Sequence, residues 1–168
     1  MEYCLDTSVY IQAYRTYYAF DIAPPFWAAL EKLAVDGVIV SPIAVYVEIN
    51  KGKDDLARWA KNQRDTLFIE PDDLVNTALH QIADFANERY LDAHWIRDFL
   101  GGADPWVVAQ AKAHNLIVVT MEGQKTTEEI DKSTNRVHGK IKIPNMCGHF
   151  GVKCMTTFDL LRTLKIGF

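Results

Sequence analysis

Residues 101–123 read GGADPWVVAQAKAHNLIVVTMEG. The first half is rich in alanine, the best helix former, and Pro105 falls in the first turn, where a missing N–H costs nothing. This predicts a small-residue helix over 103–114. Leu116–Thr120 is a fully apolar, β-branched run that reads as a buried strand. Helix followed by buried strand is half of a right-handed parallel crossover. The same alternation extends outward in both directions. Tyr3–Asp6 reads as a strand, Val9–Tyr18 and Pro25–Ala34 as helices, and Val38–Val40 as a second buried strand. Ser41-Pro42 is expected to open a helix that carries Glu48 and stops near Gly52. Then come a short helix over Asp54–Arg64, an edge strand at Leu67–Ile69, and a helix over Asp72–Asn87 with Leu74, Ala78, Ile82 and Phe85 on one side. Tyr90–Leu100 reads as helical. Residues 121–140 read as a long polar loop, Ile141–Pro144 and Val152–Met155 as extended pieces, and Thr157–Leu164 as a closing helix. Strands separated by helices imply a parallel sheet covered on both faces, in one domain over residues 1–168.

In such sheets ligands bind beyond the carboxyl ends of the strands. Four acids sit at places where elements begin, end or turn: Asp6 in YCLDTSVY, Glu48 in SPIAVYVEINKG, Asp104 in GGADPW and Glu122 in VVTMEG. Parallel, adjacent strands before Asp6 and Glu122 would bring all four to one edge of the sheet. Taken singly each acid has an ordinary reading. Asp-Thr-Ser before a helix is a good N-cap, and Ala-Asp-Pro-Trp is an ordinary cap with proline behind it. Glu48 can be a solvated helix residue, although Ala44, Val45, Val47 and Ile49 around it are apolar. Glu122 can be a turn residue. Taken together, a cluster of acids without a partner base makes sense as a cage for a hard divalent cation.

The order Leu5-Asp6-Thr7-Ser8, Val47-Glu48-Ile49, Gly102-Ala103-Asp104 and Val119-Thr120-Met121-Glu122 resembles the PIN-domain nucleases over nearly the whole chain. It is most similar to a PIN-like subfamily grouped with VapC-type toxins. Phe26-Trp27, the segment from Lys51 to Trp59, and Lys142-Ile143-Pro144-Asn145-Met146-Cys147 fit that subgroup. One departure is Glu122, where most of these nucleases carry Asp; its longer arm moves the carboxylate by about one methylene. The resemblance implies a PIN-like three-layer α/β/α sandwich with a central, mostly parallel sheet. It also implies a metal-dependent endoribonuclease that uses Mg²⁺ or Mn²⁺ and leaves 5′-phosphate and 3′-hydroxyl ends. Asp6 and Asp104 are then the most direct ligands, with Glu48 and Glu122 completing the cage or orienting the water. Ser8 and Thr120 are the hydroxyls expected to support them. The implied partners are an RNA substrate and a cognate antitoxin protein. The competing reading is a PIN-like module that binds RNA or protein and no longer cuts.

Arg58, Lys61 and Arg64 share one helix face by spacing. Lys132, Arg136, His138, Lys140 and Lys142 crowd the segment after Glu122. These are the candidate phosphate contacts. They would have to act locally, because 22 acids against 18 Lys and Arg give a net charge of −4. Tyr10, Tyr14 and Tyr17 or Tyr18 fall at helical spacing, which points to core or homodimer packing rather than base stacking. Cys147, His149, Cys154 and His138 lack a close Cys-x-x-Cys pair, which argues against structural zinc. A Rossmann cofactor site needs a glycine-rich turn after strand one, and a haloacid-dehalogenase site needs an Asp where Ser8 stands. Three scattered cysteines suggest a reducing cytoplasm. Neither a signal peptide nor a membrane span is expected, since no basic n-region or apolar run of the required length occurs.

Overall fold

Tyr3, Cys4 and Leu5 are all buried, as a strand covered on both faces must be. They form the centre of the sheet in this computed structural model, which describes residues 1–123 and 125–167. The chain runs through β1 (Tyr3–Leu5), α1 (Thr7–Arg15), α2 (Pro24–Val35), β2 (Ile39–Pro42), α3 (Ile43–Asn50), α4 (Asp55–Asn62), α5 (Arg64–Leu67) and β3 (Phe68–Ile69). It continues through α6 (Asp73–Arg89), α7 (Ala93–Gly101), α8 (Asp104–His114), β4 (Ile117–Val119), β5 (Glu129–Ile130), β6 (Val137–His138), α9 (Ile143–Phe150), β7 (Cys154–Met155) and α10 (Thr157–Thr163). The main sheet has the order β3-β2-β1-β4-β7, and every pairing in it is parallel. Helices flank it in the three-layer α/β/α arrangement expected of a PIN-like domain. The helix α8 packs across β1, β2 and β4, and α6, α7 and α9 pack against α8. An aromatic cluster fills the region between α1, α2 and α4: Tyr10 meets Trp59, Trp27 stacks on Phe20, and Tyr18 stacks on Phe26. Most of the tyrosine spacing is thus absorbed by the core, while Tyr17 is 73% exposed.

Several elements depart from the sequence expectation for identifiable reasons. Ser41 and Pro42 extend β2, pairing with Phe68 and Ile69, instead of opening the next helix. Burying Ser41 is possible because its hydroxyl donates to the Leu5 carbonyl and meets the Tyr10 hydroxyl. The helix at 54–64 breaks at Gln63, so Arg64 belongs to the separate α5. In α6 the Asp72 carboxylate caps the Val75 N–H. The buried stripe becomes Val75, Ala78, Ile82 and Ala86, and Leu74 faces outward. The predicted loop 121–140 contains an antiparallel hairpin, β5 with β6; its Gln124 lies outside the described residues. Ile143-Pro144 starts a helix instead of ending a strand, with proline in the first turn, where it is tolerated. Among the described residues no helix is long and apolar enough to cross a membrane.

Candidate active site

Parallel strands put all their carboxyl ends on one edge. Leu5 of β1 pairs with Val119 of β4, so the residues that follow, Asp6 and Thr120, stand side by side. The Asp6 N–H donates to the Val119 carbonyl at 2.9 Å, which fixes the turn. A helix that feeds a parallel strand runs antiparallel to it, so α8 begins on the same edge, at Asp104. The helix α3 leaves β2 at that edge and carries Glu48 in its second turn.

Asp6 is 2% exposed. Its Oδ2 accepts from the Ser8 hydroxyl at 2.6 Å, the Thr120 hydroxyl at 3.0 Å and the Ser8 N–H at 3.3 Å. The cap reading of Asp6 is therefore correct for one oxygen. The other oxygen, Oδ1, is buried with no hydrogen-bond partner among the described residues. Burial raises the pKa of Asp6 and the Glu122 carboxylate adds to the rise, while the two hydroxyls oppose it. A carboxylate with one oxygen held and the other bare is oriented toward something the protein alone does not supply.

Glu48 is held at both oxygens: the Thr7 hydroxyl donates at 2.6 Å and the Ala103 N–H at 2.8 Å. Gly102, just before α8, leaves room for this arrangement: an added Cβ would lie 3.1 Å from Glu48 Oε1. Glu122 accepts from the Ile143 N–H at 2.8 Å and has Lys140 at 4.0 Å. Its own N–H donates to Thr120 Oγ1 at 3.2 Å. Asp104 is not a cap: that position falls on Ala103, and no side chain caps α8. Burial, followed by repulsion from Asp6, Glu122 and Glu48, pushes the Asp104 carboxyl up to about 8, with Lys140 opposing. Each of the other three acids is thus close enough to act on Asp104.

The donor set is all hard oxygen, which suits Mg²⁺ or Mn²⁺. The bare Asp6 Oδ1 and the strained ionisation of Asp104 fit the need for an added positive charge. Among the described residues, no three Asp, Glu, His or Cys side chains already form a closed metal cage. Glu48 leans on the Thr7 hydroxyl and the Ala103 N–H and Glu122 on the Ile143 N–H, while Asp6 keeps one oxygen, Oδ1, without a partner among the described residues.

The basic residues divide. Lys140 lines the acid cleft, about 260 Å³ in volume, with Glu48, Asp104 and Gly102. Lys142 is the cap residue of α9, and Lys132 is exposed on the hairpin. Arg58 and Lys61 line a separate cleft of about 340 Å³ with Lys53 and Asn50. Arg64 does not join them, because the break at Gln63 turns it to Glu70 and the Phe68 carbonyl. Arg136 donates to the carbonyls of Asn87 and Tyr90, closing the end of α6; its guanidinium is a structural cap rather than a displayed phosphate contact. His138 lies between Asp92 and Asp131, and His149 bonds Glu128, so neither joins the thiols of Cys147 and Cys154, which contact each other. Another cleft, of about 480 Å³, lies at the opposite sheet edge around Met1, Asn115 and Lys153. Two contributors escape the sequence reading. Thr7 is masked by the stronger Asp6 and Ser8 signals beside it, and Trp95, which also lines the acid cleft, sits in a segment without any motif.

Residues 3–168 match the family described as a domain of unknown function, DUF4411, and the chain belongs to that family. None of the curated proteins matches the sequence. The fold is similar to the structure of VapBC-1 from nontypeable Haemophilus influenzae, at 16% identity and a TM-score of 0.46, covering 73% of this chain and 87% of that one. It is also similar to VapBC2 from Rickettsia felis, solved bound to a DNA fragment from their promoter, at 16% identity and a TM-score of 0.49, covering 93% of this chain and 98% of that one. At that level the likeness assigns neither an activity nor a site to this chain.

Proposed function

We propose that the protein is a metal-dependent endoribonuclease of the PIN, VapC-toxin type. The observation that carries the reading is the meeting of Asp6, Glu48, Asp104 and Glu122 at one sheet edge, with Asp104 pushed up to about 8 by burial and by the other three. Asp6 and Asp104 would hold Mg²⁺ or Mn²⁺ directly, and Glu48 and Glu122 would complete the site through water. When bound, the cation neutralises the scissile phosphate and the departing oxygen. The remaining work belongs to the chain. Ser8 and Thr120 fix the Asp6 carboxylate, and Thr7 with the Ala103 N–H fixes Glu48. Glu48 and Glu122 orient the attacking water, and Lys140 draws in the phosphate. Attack of water at phosphorus with loss of the 3′ oxygen leaves 5′-phosphate and 3′-hydroxyl ends.

A neighbouring antitoxin protein would hold the enzyme inactive, and a homodimer is compatible with this arrangement. The alternative, a module that binds RNA or protein without cutting, draws on Glu122, which stands where most of these nucleases carry Asp, and on the net charge of −4. Digestion of single-stranded RNA with EDTA, Mg²⁺ or Mn²⁺ separates the two. Cation-dependent cleavage that Asp6→Asn abolishes supports the nuclease; RNA binding without cleavage under every condition supports the module. Growth arrest on expression of the wild-type chain, relieved by Asp104→Asn, tests the toxin reading separately.

A further inference from the structure

The helix α7 presents Trp95, Asp98 and Phe99 to the acid cleft, and Gly102, the residue after it, lines the same cleft. Trp95, Asp98 and Phe99 are i, i+3 and i+4, one helix face. The core contact of α7 comes from a neighbouring stripe, Ile96 with Phe99. Phe99 is shared between the two, but Trp95 is not. It is half-buried and is not among the apolar side chains packed on the core, whereas Trp106 is. Its ring neighbour is His94, the residue before it, at 4.6 Å between centroids. A large aromatic surface is thus held at the wall of a cleft that also contains Glu48, Asp104 and Lys140.

Packing on the main core does not account for this placement. The rest of the cleft has chemistry for a phosphate: acids for a cation and one ammonium group. What the phosphate group brings with it is a planar base, and an aromatic face is the general receptor for an unpaired base. We propose that Trp95 is the stacking platform for the nucleobase next to the scissile phosphate of a single-stranded RNA. Resting on the nuclease reading above, this makes Trp95 a substrate-positioning residue. It predicts a preference for unpaired over duplex RNA, because a base inside a helix has no free face. Stacking tolerates every base, so the site reads strandedness more than sequence.

The test is cleavage of a single-stranded RNA oligonucleotide in Mn²⁺ by the full-length protein, with an abasic nucleotide placed at each position in turn. Wild type, Trp95→Phe and Trp95→Ala are compared, and thermal melts check that each is folded. Wild type is expected to lose about ten- to a hundredfold in kcat/KM when the base at one position beside the cut is removed, the scale of one base–aromatic contact. Trp95→Ala should lose a similar factor on intact RNA, yet lose nothing further on that abasic substrate. Trp95→Phe should keep most of the activity. Duplex RNA should be cut poorly by all three. Equal losses from Trp95→Ala on intact and abasic substrates would overturn the proposal and leave Trp95 a structural residue. So would full activity of Trp95→Ala on intact RNA. If wild type cuts no RNA with either cation, the nuclease reading fails, and the stacking proposal with it.

Discussion

Asp6 has a divided role: one oxygen is tied into the α1 cap and the other is buried and bare. Asparagine caps helices as well as aspartate does, so Asp6→Asn keeps the tied half and removes the charge. The metal-free variant should melt at or above the wild-type temperature, since a buried repelling charge is gone, while cleavage is lost. Strong destabilisation of metal-free Asp6→Asn would mean that the carboxylate serves the helix alone. Gly102 offers a second residue-level test. Its φ of −102° suits alanine, so the only conflict in Gly102→Ala is the 3.1 Å approach of the new Cβ to Glu48 Oε1. Glu48 should swing off the Ala103 N–H, costing about 1 kcal/mol of stability for one hydrogen bond and a much larger share of kcat. Unchanged turnover would show that the Glu48 position is not used. Residue type and order made all four acids legible, because Asp and Glu at element boundaries are visible in a sequence. The Thr7 and Ala103 contacts to Glu48 were not, since they join residues 41 and 55 positions apart.

At the scale of elements, strands β1 and β4 were legible from burial on both faces, helices α2 and α8 from proline in the first turn, and α6 from its Asp72 cap. The hairpin β5–β6 was not, since two-residue strands have no period. Nor was α9, whose Ile-Lys-Ile alternates like a strand before Pro144 begins the helix. Missing the hairpin also misplaced Arg136, which reads as a surface cation but closes the end of α6. Arg136→Ala should therefore lower stability by about 1.5–3 kcal/mol, the scale of hydrogen bonds to a charged donor, measured by urea unfolding. Lys132→Ala, exposed on the same hairpin, should stay within about 0.5 kcal/mol. RNA binding should respond in the opposite order. Reversing Lys140 and Lys142 to Glu should weaken binding and flatten its salt dependence. An unchanged slope there would shift the RNA path to the Arg58 and Lys61 cleft.

For the whole molecule, the acid cluster sets a conflict between stability and the proposed function. Asp104 titrates at about 8 in the folded protein, against about 3.9 for an unfolded aspartate. Between these values the folded state holds a proton the unfolded state has lost, so the sign of linkage is that stability falls as pH rises. The contribution is fully present below the unfolded pKa and is lost as pH passes through about 8. Metal-free protein should melt at a lower temperature at about pH 9 than at about pH 5, and Asp104→Asn should flatten that slope. A divalent cation that binds only the folded site should restore the loss by mass action.

The most direct measurement is calorimetric titration of Mn²⁺ into the metal-free protein near neutral pH, for wild type, Asp6→Asn and Asp104→Asn. Saturable binding by the wild type, lost or severely weakened in both variants while all three remain folded, is the expected result. Wild-type protein that takes up no Mn²⁺, or variants that bind it as tightly as wild type, would contradict the reading of this sheet edge as a cation-holding site.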